Sequence, residues 1–198
     1  MLRKITQGLL GAMVLGIAAS AHAAVSVPFG WYFEGNVGQS NLGGKYYPGS
    51  AKNKGLGESV DVGYKFSTFV AGEVGFSNYA TNRVKAASGA RVADDRFYSY
   101  DIAGKLLLPV GGTGFEVFGK LGWGHISSDL TVTDPGTAAA NGMVFNRGTH
   151  SANGFYLGAG ADYAALPNVL VNLQWARQKG NHDTGHGDLY TVGLTYIV

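Results

Sequence analysis

Residues 98–109 read "YSYDIAGKLLLP", and the placing of the two charges in this stretch decides the fold. Successive side chains of an extended chain point to opposite faces. Tyr98, Tyr100, Ile102, Leu106 and Leu108 therefore share one face, while Asp101 and Lys105 share the other. A soluble sandwich would bury the apolar face and leave the acid and base in water. A sheet closed within lipid would do the reverse.

Composition bears on the choice. Charged residues make up 14% of the 198, aromatics 12%, and there are 32 Gly, where an ordinary soluble domain carries about 25% charge. Such a chain is poorly equipped to cover itself with a water-facing surface. Arg3 and Lys4 precede an apolar run over residues 9–19, and Ala21-His22-Ala23 follows as a small-x-small cleavage site. Residues 1–23 are thus read as a secretory signal peptide, with the mature protein expected over 24–198. The apolar run is too short for the roughly 20 residues of a helical span. Without Arg3 and Lys4 the remaining 13 Lys and Arg balance 13 Asp and Glu, so net charge gives no support for nucleic-acid binding. The absence of Cys excludes disulfides and thiolate metal sites.

Period-two alternation marks eight segments: 31–40, 58–66, 69–79, 97–108, 115–126, 154–163, 169–177 and 188–198. Each is close to the ~9 to 11 residues of a tilted transmembrane strand. Long, polar, Gly-rich connections (41–57, 80–96, 127–153, 178–187) alternate with short turns around Ser67-Thr68, 110–114 and 164–168. An even strand number, with short turns at one end and long loops at the other, predicts an all-β fold: an eight-stranded antiparallel up-and-down transmembrane β-barrel. Trp31, Tyr64, Phe66, Phe115, Tyr163 and Tyr196 fall near the short-turn end of the apolar face. Phe76, Tyr98, Tyr100, Trp123, Phe155, Trp175 and Tyr190 fall near the long-loop end. Two aromatic girdles around an aliphatic belt are what membrane interfaces favour, and a sandwich core has no reason to sort aromatics to strand ends.

The opposite face then lines the interior, where unpaired ions are costly. Glu34, Asp61, Glu73, Asp101, Glu116 and Asp162 are set there against Lys65, Lys105, Lys120 and Arg177. Facing strands suggest Lys105 with Glu116 and Lys65 with Glu73 as partners. An eight-stranded interior is just wide enough for side chains to fill, which argues against a wide pore. Several inward Gly residues make room for long charged chains or relieve curvature.

The segments "GWYFEGNVGQS", "AGKLLLPVGGTGFEVFGKLGWG", "GFYLGAGADYAALPNVLVNLQW" and "YTVGLTYIV" resemble the OmpA-like transmembrane domain family, over nearly all of the mature chain. The resemblance implies Gram-negative outer-membrane localisation, insertion by the barrel assembly machinery, surface-exposed loops and an interior ionic network at Glu34, Lys65, Glu73, Lys105, Glu116, Lys120 and Arg177. Val198 stands where the family usually ends on an aromatic, and the periplasmic peptidoglycan-binding domain of longer relatives is expected to be absent.

Chemistry-bearing patterns are sparse. His182 and His186 in "GNHDTGHGD" would share a face only on a helix, which this Gly-rich loop disfavours. His125 and Ser127 lie two apart on one strand face, an arrangement similar to that of outer-membrane lipid deacylases, but no carboxylate is placed to orient the His. "GGTG" at 111–114 joins two strands with no helix behind it to bind phosphate. No enzyme activity, cofactor or metal is expected. The expected function is structural or surface recognition, with loops meeting lipopolysaccharide, host factors or other cells in a setting of outer-membrane lipid. The alternative is a narrow porin or passive small-solute channel.

Overall fold

A computed structural model describes residues 28–198, so the leader read over residues 1–23 lies outside the described residues. The chain forms β1 (Gly30–Gly43), β2 (Ser50–Lys52), β3 (Lys54–Lys65), β4 (Val70–Asn78), β5 (Asn82–Lys85), β6 (Arg91–Val110) and β7 (Phe115–Val132). A short helix α1 (Pro135–Ala140), β8 (Gly148–Leu166), β9 (Val169–Lys179) and β10 (His186–Ile197) follow. All strand pairings are antiparallel. The order β1-β3-β4-β6-β7-β8-β9-β10 returns to β1 through twelve register pairs, from Tyr32 with Ile197 to Gly43 with His186. Eight staves therefore close into a ring with no free edge, the condition a sheet must meet to satisfy its backbone in lipid.

The turns explain why neighbouring staves pair in register. Between β3 and β4, Ser67 Oγ accepts from the amides of Phe69 and Val70. Between β6 and β7, Gly112 and Gly114 adopt φ of +67° and +78°, a region other residues rarely enter. Between β8 and β9 only Pro167 and Asn168 intervene.

Parity of burial runs through every stave. In β6, Ile102, Leu106 and Leu108 are more than 60% exposed on the outside, whereas Asp101 and Lys105 are 7% and 3% exposed within. The strand set that begins with "YSYDIAGKLLLP" thus turns its apolar side outward. Trp31, Tyr64, Phe66, Phe115, Tyr163 and Tyr196 ring the short-turn end, with edge or tilted ring contacts such as Trp31 on Tyr64 at 5.4 Å and Phe115 on Tyr163 at 4.7 Å. Phe76, Tyr100, Trp123, Phe155, Trp175 and Tyr190 stand at the other end, where Trp123 meets Phe155 at 5.0 Å.

The long-loop end is more ordered than its polar sequence suggests. β6, β7 and β8 are 20, 18 and 19 residues long and continue past the aromatic girdle. β5 pairs with the projecting part of β6, and β2 pairs with β5. A cluster of Val84, Ala86, Val92, Ala93, Ala138 and Met143 holds this projection together. Segments read as free loop over 41–57, 80–96 and 127–153 are therefore partly strand and helix. Their few apolar residues gather on one side of the projecting sheet, and α1 begins on Asp134, whose carboxylate accepts from the Thr137 amide at 2.9 Å.

Candidate functional site

The lumen is layered. At the short-turn end Tyr32, Ala71, Leu107, Phe118, Leu170 and Ile197 form an apolar plug. At the long-loop end Leu42, Tyr79, Phe97, Ile126 and Leu189 form a second. Between them lies a polar layer. Lys120 reaches Glu73 at 2.7 Å and Glu34 at 3.4 Å, while Lys105 reaches Asp162 at 3.2 Å and Glu34 at 3.4 Å. Glu34 also accepts from Gln174 Nε2 and Thr195 Oγ1. Lys65 pairs with Glu116 at 3.0 Å nearer the short turns.

These pairs differ from those suggested by facing strands. Glu116 stands opposite Pro109, and Lys105 stands opposite Lys120. Lys105 and Glu116 are thus offset by four residues, about 13 Å along the strand, and two lysines face each other. Each long side chain leaves its like-charged neighbour and crosses the lumen to an acid on a distant strand. Tyr32 leans along the wall instead: its ring lies where a side chain of Gly63 on the adjacent β3 would be, and its hydroxyl donates to Glu73 on β4 at 2.8 Å.

Arg177 requires a correction. It shares the outward parity of Trp175 instead of entering the network, and its guanidinium grips Asp188 through two bonds of 2.7 and 2.8 Å at the outer rim. Asp61 and Asp101 are inside, but neither makes an ion pair among the described residues.

Of the His patterns, His125 Nδ1 bonds Asn153 Oδ1 at 2.8 Å, and Ser127, 3% exposed, makes no hydrogen bond with it. His186 Nε2 is 4.0 Å from Asp188. A nucleophile–base pair is thus not assembled at His125.

The projecting cap contains residues that strand periodicity passed over. Lys45 bends into the barrel mouth, bonding Asp95 at 2.6 Å and Ser128 at 2.5 Å. Tyr47 donates to the same Asp95, and its hydroxyl pKa is raised by burial and by that carboxylate. Asp95 is fully buried although its segment reads as a polar loop; the Phe97, Ser99, Asp101 alternation extended backward would have found it. Beside these groups a cleft of about 220 Å³ is lined by Tyr46, Tyr47, Phe145, His150, His182 and Asp183, among others.

Charge divides sharply between the two regions. The lumen holds six acids and three lysines. Every other charged side chain among the described residues, ten basic and seven acidic, lies at or beyond the long-loop rim. Lys52, Lys54, Arg83 and Lys85 are exposed there without ion pairs among the described residues, and Arg91 pairs with Asp94.

A closed eight-stranded ring with an aromatic-banded apolar exterior, a charged interior and an ordered cap defines a transmembrane barrel of the outer-membrane class. The family model for the outer membrane protein beta-barrel domain matches residues 9–197, and the chain belongs to that family. Solved structures of similar fold include Ail, the attachment invasion locus protein of Yersinia pestis, in complex with the heparin analogue sucrose octasulfate (16% identity, TM-score 0.52, 86% of this chain and 99% of that one). Neisserial surface protein A is also similar (13% identity, TM-score 0.56, 85% and 97%), as is the outer membrane protein OprG from Pseudomonas aeruginosa (15% identity, TM-score 0.54, 86% and 97%). No curated protein matches the chain.

Proposed function

We propose that the protein is a non-conducting surface-recognition barrel whose extracellular cap binds an anionic saccharide, the shared chemistry of lipopolysaccharide cores and sulfated host glycans. The observation that carries this reading is the segregation of charge. The cap has an excess of three cations, and Lys52, Arg83 and Lys85 project from one side of the β2–β5 sheet, where Asp94 stands opposite Arg83 but is gripped by Arg91. Lys52 and Arg83, directly opposite one another, repel at a small cost in stability, and unpaired surface cations attract polyanions from a distance. The sucrose octasulfate bound by Ail gives this ligand class a precedent on a barrel of similar fold. Two apolar plugs across the lumen speak against the channel alternative. Export through a cleaved leader and insertion by the barrel assembly machinery belong to the same proposal. So does the ionic network as the device that holds the staves rigid beneath the cap.

Refolded protein in nanodiscs is expected to bind sucrose octasulfate, with affinity falling as salt rises. Affinity should drop about tenfold or more in the triple variant Lys52→Glu/Arg83→Glu/Lys85→Glu, since like charges across an interface cost several kcal/mol. Unchanged affinity would overturn the reading. In planar bilayers no steady conductance is expected; openings abolished by Lys105 or Glu116 substitution would establish the channel instead.

A further inference from the structure

Beyond the outer girdle, contact with lipid no longer accounts for exposed apolar side chains. Tyr46 and Val144 are nonetheless 81% and 86% exposed there, and both line the cleft of about 220 Å³ in the cap, together with Tyr47 and Phe145. The cleft lies between the segments that follow β1, α1 and β9. Tyr47 has its hydroxyl committed to Asp95, so only its ring is on offer.

Polar groups complete the lining. His150 is the register partner of Ser128, which is itself taken up by Lys45 and Asp95. The His150 Nε2 is therefore buried beside the cleft with no hydrogen-bond partner. Asn146, His182 and Asp183 stand exposed, and their side chains make no hydrogen bond among the described residues. Lys45 is paired with Asp95, which leaves the Asp183 carboxylate without a countercharge in the lining. A sulfate or phosphate placed here would be repelled by that carboxylate. Whatever binds in the cleft is thus uncharged at this point, although the cap as a whole attracts anions.

The volume falls below the roughly 300–1,000 Å³ of a pocket for a drug-sized ligand and suits a single ring. A pyranose has C–H bonds on its faces and hydroxyls around its edge. It meets an aromatic ring through the first and amide, imidazole and carboxylate groups through the second. A second depression, of about 480 Å³, adjoins the cleft across Pro48, which lines both, and reaches Ser50 and Lys85 of the charged β2–β5 sheet. We propose that the cleft is the subsite for one uncharged pyranose unit, stacked on Tyr46 and bonded at its edge by Asn146, His150 and Asp183, while acidic units of the same chain lie along the second depression toward Lys85. The inference rests on the saccharide reading above and adds to it a place and a kind of sugar that charge alone does not select.

Two probes titrated against refolded protein in nanodiscs test it: sucrose octasulfate, in which every hydroxyl is sulfated, and a partly sulfated heparan hexasaccharide containing unsulfated N-acetylglucosamine. Tyr46→Ala, at an exposed position, is expected to weaken the hexasaccharide about tenfold and to leave sucrose octasulfate unchanged. Tyr46→Phe should keep the hexasaccharide affinity, since the ring and not its hydroxyl makes the stack. Asp183→Ala should weaken the hexasaccharide as well. Tighter binding in that variant overturns the proposal, because the cleft would then hold a sulfate. Hexasaccharide affinity unchanged in Tyr46→Ala overturns the subsite while the charge-based reading stands on continued octasulfate binding. Equal losses for the two probes overturn it too, and failure of both to bind the wild type removes the subsite and the saccharide reading together.

Discussion

Lys120 is wholly enclosed, 2.7 Å from Glu73 and 3.4 Å from Glu34, and its position argues for an unequal distribution of energy among the charged residues. Replacing it by Met keeps the volume and strands two carboxylates in a medium that cannot hydrate them. Lys120→Met is expected to cost about 3–5 kcal/mol, measured by urea titration of the heat-modifiable gel shift. Arg177→Ala, at the half-exposed rim pair, is expected to cost under about 1 kcal/mol in the same titration. The inward lysines and acids were legible because parity is a local property of a strand. Their partners were not, because partner choice depends on register and on crossings of the lumen that no single strand encodes. For Arg177 the signal was present in its own strand, as it shares parity with Leu173 and Trp175.

At the scale of elements, the staves divide into a membrane portion and a projecting portion with different sources of stability. The membrane portion rests on ring closure and lipid contact. The cap rests on a small cluster around Val84, Val92 and Met143. Val92→Asp, placing a charge in that cluster, is expected to loosen the cap alone. Proteolysis of intact cells should then cut within residues 80–96 and 133–147, while the gel shift of the barrel is retained. Loss of the gel shift would show that cap and barrel unfold together. The eight staves were readable from alternation and from the rhythm of long and short connections. β2, β5 and α1 were not, since each is six residues or fewer, and their apolar contributions come from scattered positions that cohere only once β6 projects far enough to gather them.

For the whole molecule, the apolar exterior, the acidic lumen and the basic cap are three consequences of one alternating pattern passing through three surroundings. The same pattern says nothing of how long the ring takes to form. Short turns bring β3 to β4, β6 to β7 and β8 to β9, whereas β1 and β10 join residues 143 to 165 positions apart. Contacts so distant pay their loop entropy before any reward. In refolding into vesicles, the far-ultraviolet strand signal should rise well before the fast-migrating gel species appears. Gly193→Val, whose side chain would meet the Gly35 carbonyl and the Asn36 amide across that junction, should delay the second event and spare the first. Until that junction sets, the polypeptide is an unfinished ribbon with two sticky rims, and its most dangerous neighbour is another ribbon of the same kind.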